Sequence, residues 1–157
     1  MRVSRMSENE PLAEYVAFGL GAQLFGLPIS RVQDVFLPDR VTRIPLAPPE
    51  IAGLVNVRGR ILTVIDMWRR LGVAAPTPMR VRLAMGVEQK NESYALLIES
   101  IGDVLKLPLQ ALENNPPNLE ARLAQLSAGV YRLSKQLLLV LDIDRVLDFA
   151  AGARAAT

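Results

Sequence analysis

The sequence predicts an all-β chain with little helix, a sandwich or a pair of small barrels, and three observations carry that reading. The apolar residues fall in many short runs separated by Gly and Pro turns, the pattern of strands packed in sheets rather than of long amphipathic helices. One of these runs occurs twice in the chain. Half of the 157 residues are hydrophobic and 22% are charged, enough apolar content for one ordinary domain or two small fused ones.

The repeated stretch is residues 51–71, I-A-G-L-V-N-V-R-G-R-I-L-T-V-I-D-M-W-R-R-L. Val55 and Val57 flank Asn56 in strand-like alternation, Arg58-Gly59 makes a tight turn, and Ile61 to Ile65 is a second strand. Asp66 stands where a side-chain oxygen caps a short helix over Met67 to Leu71, which Gly72 stops. An offset of 76 maps Gly53, Leu62, Val64, Asp66, Arg69 and Leu71 onto Gly129, Leu138, Val140, Asp142, Arg145 and Leu147 without a gap. Upstream, Ile29 to Val35 and Ile98 to Val104 both read I-x-x-(V/I)-x-D-V at an offset of 69. Two related subdomains joined by loops of different length would produce this pair of offsets. Arg58-Gly59 is not duplicated, because Ser134-Lys135 stands in its place.

The other elements follow in order. Residues 1–13 are expected to form a floppy arm, polar and lacking the apolar core of a signal peptide or anchor. Tyr15 to Gly21 and Leu24 to Leu27 read as a hairpin. Apolar positions 29, 32, 35 and 36 share one helical face, which predicts a helix over Ile29 to Phe36. Val41 to Pro45 is a short extended piece, and Ala74 to Pro78 is the candidate boundary, giving a first unit at about 14–75 and a second at about 79–149. The second unit reads as strands over 80–87, 94–98 and 102–108, a short helix over 119–126, the duplicated hairpin, a helix over 142–149 and a frayed tail over 150–157. No apolar run approaches the roughly 20 residues needed to span a bilayer.

Composition narrows the chemistry. Eighteen basic and 16 acidic residues leave a net charge of only +2, with the basic residues scattered and aromatics at 5%, which gives weak support to nucleic-acid binding. The absence of Cys removes disulfides and thiolate metal sites and fits a reducing cytoplasm. The absence of His removes a Ser-His-Asp triad, His-ligated zinc and phosphohistidine chemistry on this chain. No cofactor is implied.

Beyond these readings, N-V-R-G-R-I-L-T-V-I-D-M resembles a pattern of roughly N-L-R-G-x-(V/I)-(V/I)-P-(V/I)-(V/I/L)-D-L. I-S-R-V-Q-D-V, V-T-R-I-P, I-G-D-V-L and L-L-L-V-L-D follow in the same family's order. From about Glu14 to Leu147 the chain is similar to the CheW family of chemotaxis coupling proteins. Thr63 departs from the family's usual Pro, and Trp68-Arg69-Arg70 is bulkier and more basic than the usual continuation. The resemblance implies two five-stranded SH3-like barrels side by side and a non-enzymatic cytoplasmic adaptor. Such an adaptor bridges the tip of a transmembrane chemoreceptor to the regulatory domain of a CheA-type histidine kinase, and is thereby recruited to receptor arrays at the inner face of the membrane. By match to the family, a groove between the barrels would receive the receptor through Ile29, Val32, Asp34, Arg58, Ile101 and Val104. The kinase would meet Leu37, Asp39 and Val41.

Each residue also has a plainer reading. Val32, Ile101 and Val104 read equally as core, since apolar residues are usually buried; Asp66 and Asp142 read as caps, and Trp68 as packed between elements. A small-barrel nucleic-acid binder is the alternative function. An enzyme built on Glu99 and Asp103 ranks last, for want of metal-type spacing or a phosphate-binding loop.

Overall fold

A computed structural model describes residues 11–76 and 83–150. Ten strands and three short helices follow one another as β1 (Leu12–Leu20), β2 (Gln23–Pro28), β3 (Val32–Phe36), β4 (Ile51–Val57), β5 (Arg60–Asp66), α1 (Met67–Leu71), β6 (Leu83–Gln89), β7 (Glu92–Ile98), β8 (Ser100–Pro108), α2 (Ala121–Leu126), β9 (Ser127–Arg132), β10 (Leu137–Leu141) and α3 (Ile143–Leu147). The strands form two five-stranded sheets, ordered β8-β1-β2-β10-β9 and β3-β6-β7-β5-β4. They are SH3-like barrels, the terminal barrel drawing on both ends of the chain and the central barrel on residues 32–98.

The duplication is real, but the barrels are not its two halves. Each half runs hairpin, third strand, hairpin, helix, and each is divided after its first hairpin. β1 and β2 join β8 to β10, while β6 and β7 join β3 to β5. A division near residues 75–79 therefore describes the repeat and not the barrels. Residues 77–82 of that boundary, residues 1–10 of the arm and the tail beyond 150 lie outside the described residues. β1 starts at Leu12, two residues before the expected limit. Parallel contacts seal the exchange in matching places, β5 on β7 in one barrel and β10 on β2 in the other.

The helix expected over 29–36 is a 3-10 turn, Ile29–Arg31, followed by β3. The misreading has a physical source. β3 pairs Val32 with Val87, Asp34 with Gly86 and Val35 with Met85, so an extra residue is bulged between Val32 and Asp34. A bulge shifts the two-residue phase of a strand. Positions 32 and 35 thereby reach the same face, as i and i+3 do on a helix.

One core joins the barrels. Val16 and Phe18 of β1 and Met85 and Val87 of β6, positions matched at the 69-residue offset, are buried together with Leu27, Leu96, Trp68, Val146 and Leu147. The inside of the terminal barrel is a second cluster, in which Tyr15 and Tyr131 meet edge to face at 5.4 Å and share a hydroxyl–hydroxyl hydrogen bond of 3.1 Å. Asp66 accepts from the Arg69 amide at 3.1 Å, Gly72 closes α1 at φ 73, and Asp142 accepts from the amides of Asp144 and Arg145. Both acidic caps act as their positions predict.

Candidate functional site: apolar edges of the two barrels

β8 is an edge strand bulged like β3. It pairs Ile101 with Phe18 and Val104 with Val16, spending three steps where β1 spends two. Directly opposed residues of an antiparallel pair share a face. Ile101 and Val104 therefore stand on the same side of the sheet as Val16 and Phe18, the side packed between the barrels, yet they remain 41% and 49% exposed at its rim. The core reading fails for both residues. Ile29, 39% exposed, follows β2 two residues after Leu27, which pairs with Val16 on that same row.

The other three residues matched to a receptor groove lie on the central barrel. Val32 is half-buried and packs against the joined core. Asp34 and Arg58 line one cavity of about 470 Å³ with Gln33, Phe36, Val57, Arg60 and Leu62. Gly86 opposite Asp34 makes this arrangement possible, since a Cβ there would strike the Asp34 carboxylate. The six residues thus form two groups joined by the 3-10 turn at Ile29–Arg31. Val35, 39% exposed, belongs with them and was not singled out from the sequence. Its match to Val104 in the duplicated I-x-x-(V/I)-x-D-V motif was the available signal.

Arg58 and Gly59 both take positive φ, 54° and 84°, in a two-residue hairpin turn between Val57 and Arg60, and Asn56 Oδ1 accepts from the Gly59 amide at 3.0 Å. That is the I′ geometry which matches strand twist. Ser134 and Lys135 do not take positive φ. The second copy lacks Arg-Gly because it turns differently, so the missing duplication by itself says nothing about binding. What Arg58 retains is an exposed guanidinium on the wall of the Asp34 cavity.

Leu37 is 67% exposed, Asp39 is exposed, and Val41 is half-buried against the core. Asp39 shares a second cavity, about 530 Å³, with Arg40, Thr42, Leu54, Val55, Asn56 and Ile61. Ile61, read from the sequence as one more strand residue, is exposed there. Among the described residues no three acidic side chains group as a metal site, and no helix is long and apolar enough to cross a membrane.

Two SH3-like barrels that present apolar strand edges are the architecture of a binding module. Residues 14–151 match the CheW-like domain family, and the chain belongs to it. A probable chemotaxis protein CheW of Rhizobium etli is 23% identical over 142 residues, 90% of this chain and 92% of that protein. The chemotaxis protein CheW of Rhizobium meliloti is 25% identical over 133 residues, 85% and 86% of the two chains. Protein PilI of Pseudomonas aeruginosa is 27% identical over 116 residues, 74% of this chain and 65% of that one. The crystal structure of the scaffolding protein TtCheW from Thermoanaerobacter tengcongensis shares the fold, with a TM-score of 0.75 at 24% identity over 84% of this chain and 90% of that chain.

Proposed function

We propose that this chain is a non-enzymatic cytoplasmic adaptor that couples the tip of a chemoreceptor to the regulatory domain of a CheA-type histidine kinase. The observation that carries the reading is the exposure of Ile101 and Val104 on the inter-barrel face, where a bulge turns two apolar side chains of an edge strand outward together. Exposed apolar residues grouped on one face mark interaction sites more often than scattered ones do. A helical hairpin would lay its apolar stripe along Ile29, Ile101 and Val104, with Val32 at the floor and Asp34 and Arg58 fixing register by polar contacts. The kinase would dock on Leu37, Asp39 and Val41 at the rim of the second cavity. Membrane association would be indirect, through the receptor.

Titration calorimetry with a soluble receptor-tip hairpin and the kinase regulatory domain tests this directly. Ile101 and Val104 are already half in water, so Val104→Asp should leave the fold intact. It should weaken the receptor hairpin at least about tenfold by placing a charge in an apolar contact, and leave kinase affinity unchanged. Equal hairpin affinity for wild type and Val104→Asp would remove β8 from the interface.

A further inference from the structure

The chain passes between barrels twice, at Ile29–Arg31 from β2 to β3 and at Glu99 from β7 to β8, and at each crossing a side chain ties the barrels together. At the first, the Arg31 guanidinium donates to both carboxylate oxygens of Asp144, at 2.9 and 3.4 Å. Asp144 lies in α3, on the terminal barrel. The same guanidinium reaches the Glu88 carbonyl at 3.4 Å, and Gln89 Nε2 donates to Asp144 Oδ1 at 3.2 Å, so the end of β6, on the central barrel, is included. At the second crossing, Glu99 Oε1 accepts from the Gly21 amide at 2.8 Å and from Trp68 Nε1 at 3.4 Å. Gly21 is the β1–β2 turn of the terminal barrel, and Trp68 lies in α1 of the central one.

The two clasps are related by the internal repeat. Trp68 and Asp144 match at the 76-residue offset, each being the second residue after an Asp cap. Glu99 stands one residue before Ser100, the match of Arg31 at the 69-residue offset. In both clasps a crossover side chain holds the first turn of the helix from one barrel and the first-hairpin turn or strand end of the other. Side-chain chemistry differs completely between the copies, yet each crossover reaches the corresponding pair of elements. Each crossover leads within two residues into a bulged edge strand, Arg31 into Val32 and Glu99 into Ile101.

We infer that Arg31 and Glu99 are positioning residues which set the mutual orientation of the barrels, and with it the placement of the docking edges on β3 and β8. The second part rests on the adaptor reading above. Apolar burial between the barrels is non-directional and tolerates small rotations. Hydrogen bonds with fixed donor and acceptor directions do not. Arg70 adds a third tie, donating to the carbonyls of Val146 and Arg145 at 2.8 and 3.0 Å at the other end of α3, with its guanidinium 4.6 Å from the Phe149 ring centroid.

The experiment measures orientation and binding separately on the full chain. The sequence has no Cys, so Thr42→Cys and Glu113→Cys, at the matched edge bridges of the two barrels, take one spin label each. Pulsed-dipolar distances are recorded with Arg31 and Glu99 intact, with Arg31→Ala, with Glu99→Ala, and with the charge exchange Arg31→Asp plus Asp144→Arg. Affinity for the receptor-tip hairpin is measured on the same proteins without labels. Either alanine variant should broaden or shift the distance distribution with unchanged circular dichroism, and lower hairpin affinity about two- to fivefold, the range for an exposed charged contact. The charge exchange should recover part of both changes seen in Arg31→Ala, because it remakes the ion pair but not the contacts to the Glu88 carbonyl and from Gln89. An unchanged distribution in both folded alanine variants would overturn the clasp. A shifted distribution with unchanged affinity would overturn its part in docking and leave the adaptor reading standing. If intact protein does not bind the hairpin at all, the adaptor reading fails, and the docking claim with it, while the distances still decide whether the clasp exists.

Discussion

Gly53 and Gly129 hold the same backbone position in the two hairpins, at φ 151° and 145°, each beneath a carbonyl oxygen of a bridging segment. Leu54 and Thr42 exchange backbone hydrogen bonds at 2.7 and 2.8 Å, and Val130 and Glu113 exchange the equivalent pair at 2.8 and 2.9 Å. A Cβ on Gly53 would overlap the Thr42 carbonyl, and one on Gly129 would lie 2.9 Å from Glu113 O. Positive φ and close approach together require glycine. Gly53→Ala should cost about 2–4 kcal/mol and Gly129→Ala somewhat less, because backbone strain adds to a lost bridge. Urea unfolding followed by Trp68, the single tryptophan and a buried one, reads both values.

These glycines also show what was legible in the sequence. The repeat, both hairpins, the two Asp caps and the helices α1 to α3 follow from patterns local in the chain, because period, capping and turn chemistry act over a few residues. Strand pairing is not local. Nothing in residues 12–28 says that their partners are 100–108 and 137–141 rather than the nearer β3. The bulge at β3 disguises strand as helix for the same reason, since a bulge depends on the partner strand, whereas β8 reads as a strand despite its own bulge. At the site, the family resemblance supplied Ile101 and Val104, and only the structure shows that they are exposed. Arg58 is set apart by its match to the family's motif and by its missing counterpart, and the second of these is a difference in turn geometry.

That geometry changes which Arg58 substitution is informative. The repeat suggests Ser at this position, but Ser134 sits in a turn without positive φ. Asn tolerates the left-handed region. Arg58→Asn should keep the turn and fall within about 0.5 kcal/mol of wild type in stability. Arg58→Val, β-branched at φ 54°, should lose about 1–2 kcal/mol from strain alone. Thermal melts separate the two, and hairpin affinity measured on Arg58→Asn then reports the guanidinium and not the turn.

The Asp caps should behave as structure alone. Asp142→Ala leaves two amides of α3 without their acceptor and should cost about 1 kcal/mol, with Asp142→Asn or Ser recovering most of it. Urea midpoints check this. A loss near zero would mean that water replaces the cap freely.

Asp144 gives the first clasp a defined pH dependence. The hydrogen bond from Arg31 holds its carboxyl below the usual carboxylate range; burial opposes it as the next largest effect, and Gln89 and the charges of Arg31 and Lys90 add smaller lowering. A depressed folded-state pKa means that its contribution is fully present above the unfolded carboxylate value and is lost as pH falls through the lowered one. Since the Asp144 side chain is 61% exposed, added salt should weaken the contribution. Carbon-detected NMR titration of Asp144 should give a midpoint below the ordinary Asp range, returning upward in Arg31→Ala. The same midpoint in both proteins would show that the contact does not persist in solution.

The adaptor reading stands or falls on whether this chain makes a kinase respond to a receptor. The direct measurement is autophosphorylation by the CheA-type kinase, with receptor-containing membranes, in the presence and absence of this protein. Adding the wild-type chain should raise the rate roughly 5- to 150-fold, the range of ordinary allosteric coupling, while Val104→Asp, equally folded, should leave it near the uncoupled rate. Kinase activity indifferent to the folded wild-type protein, at concentrations where both partners are in excess, would contradict the account.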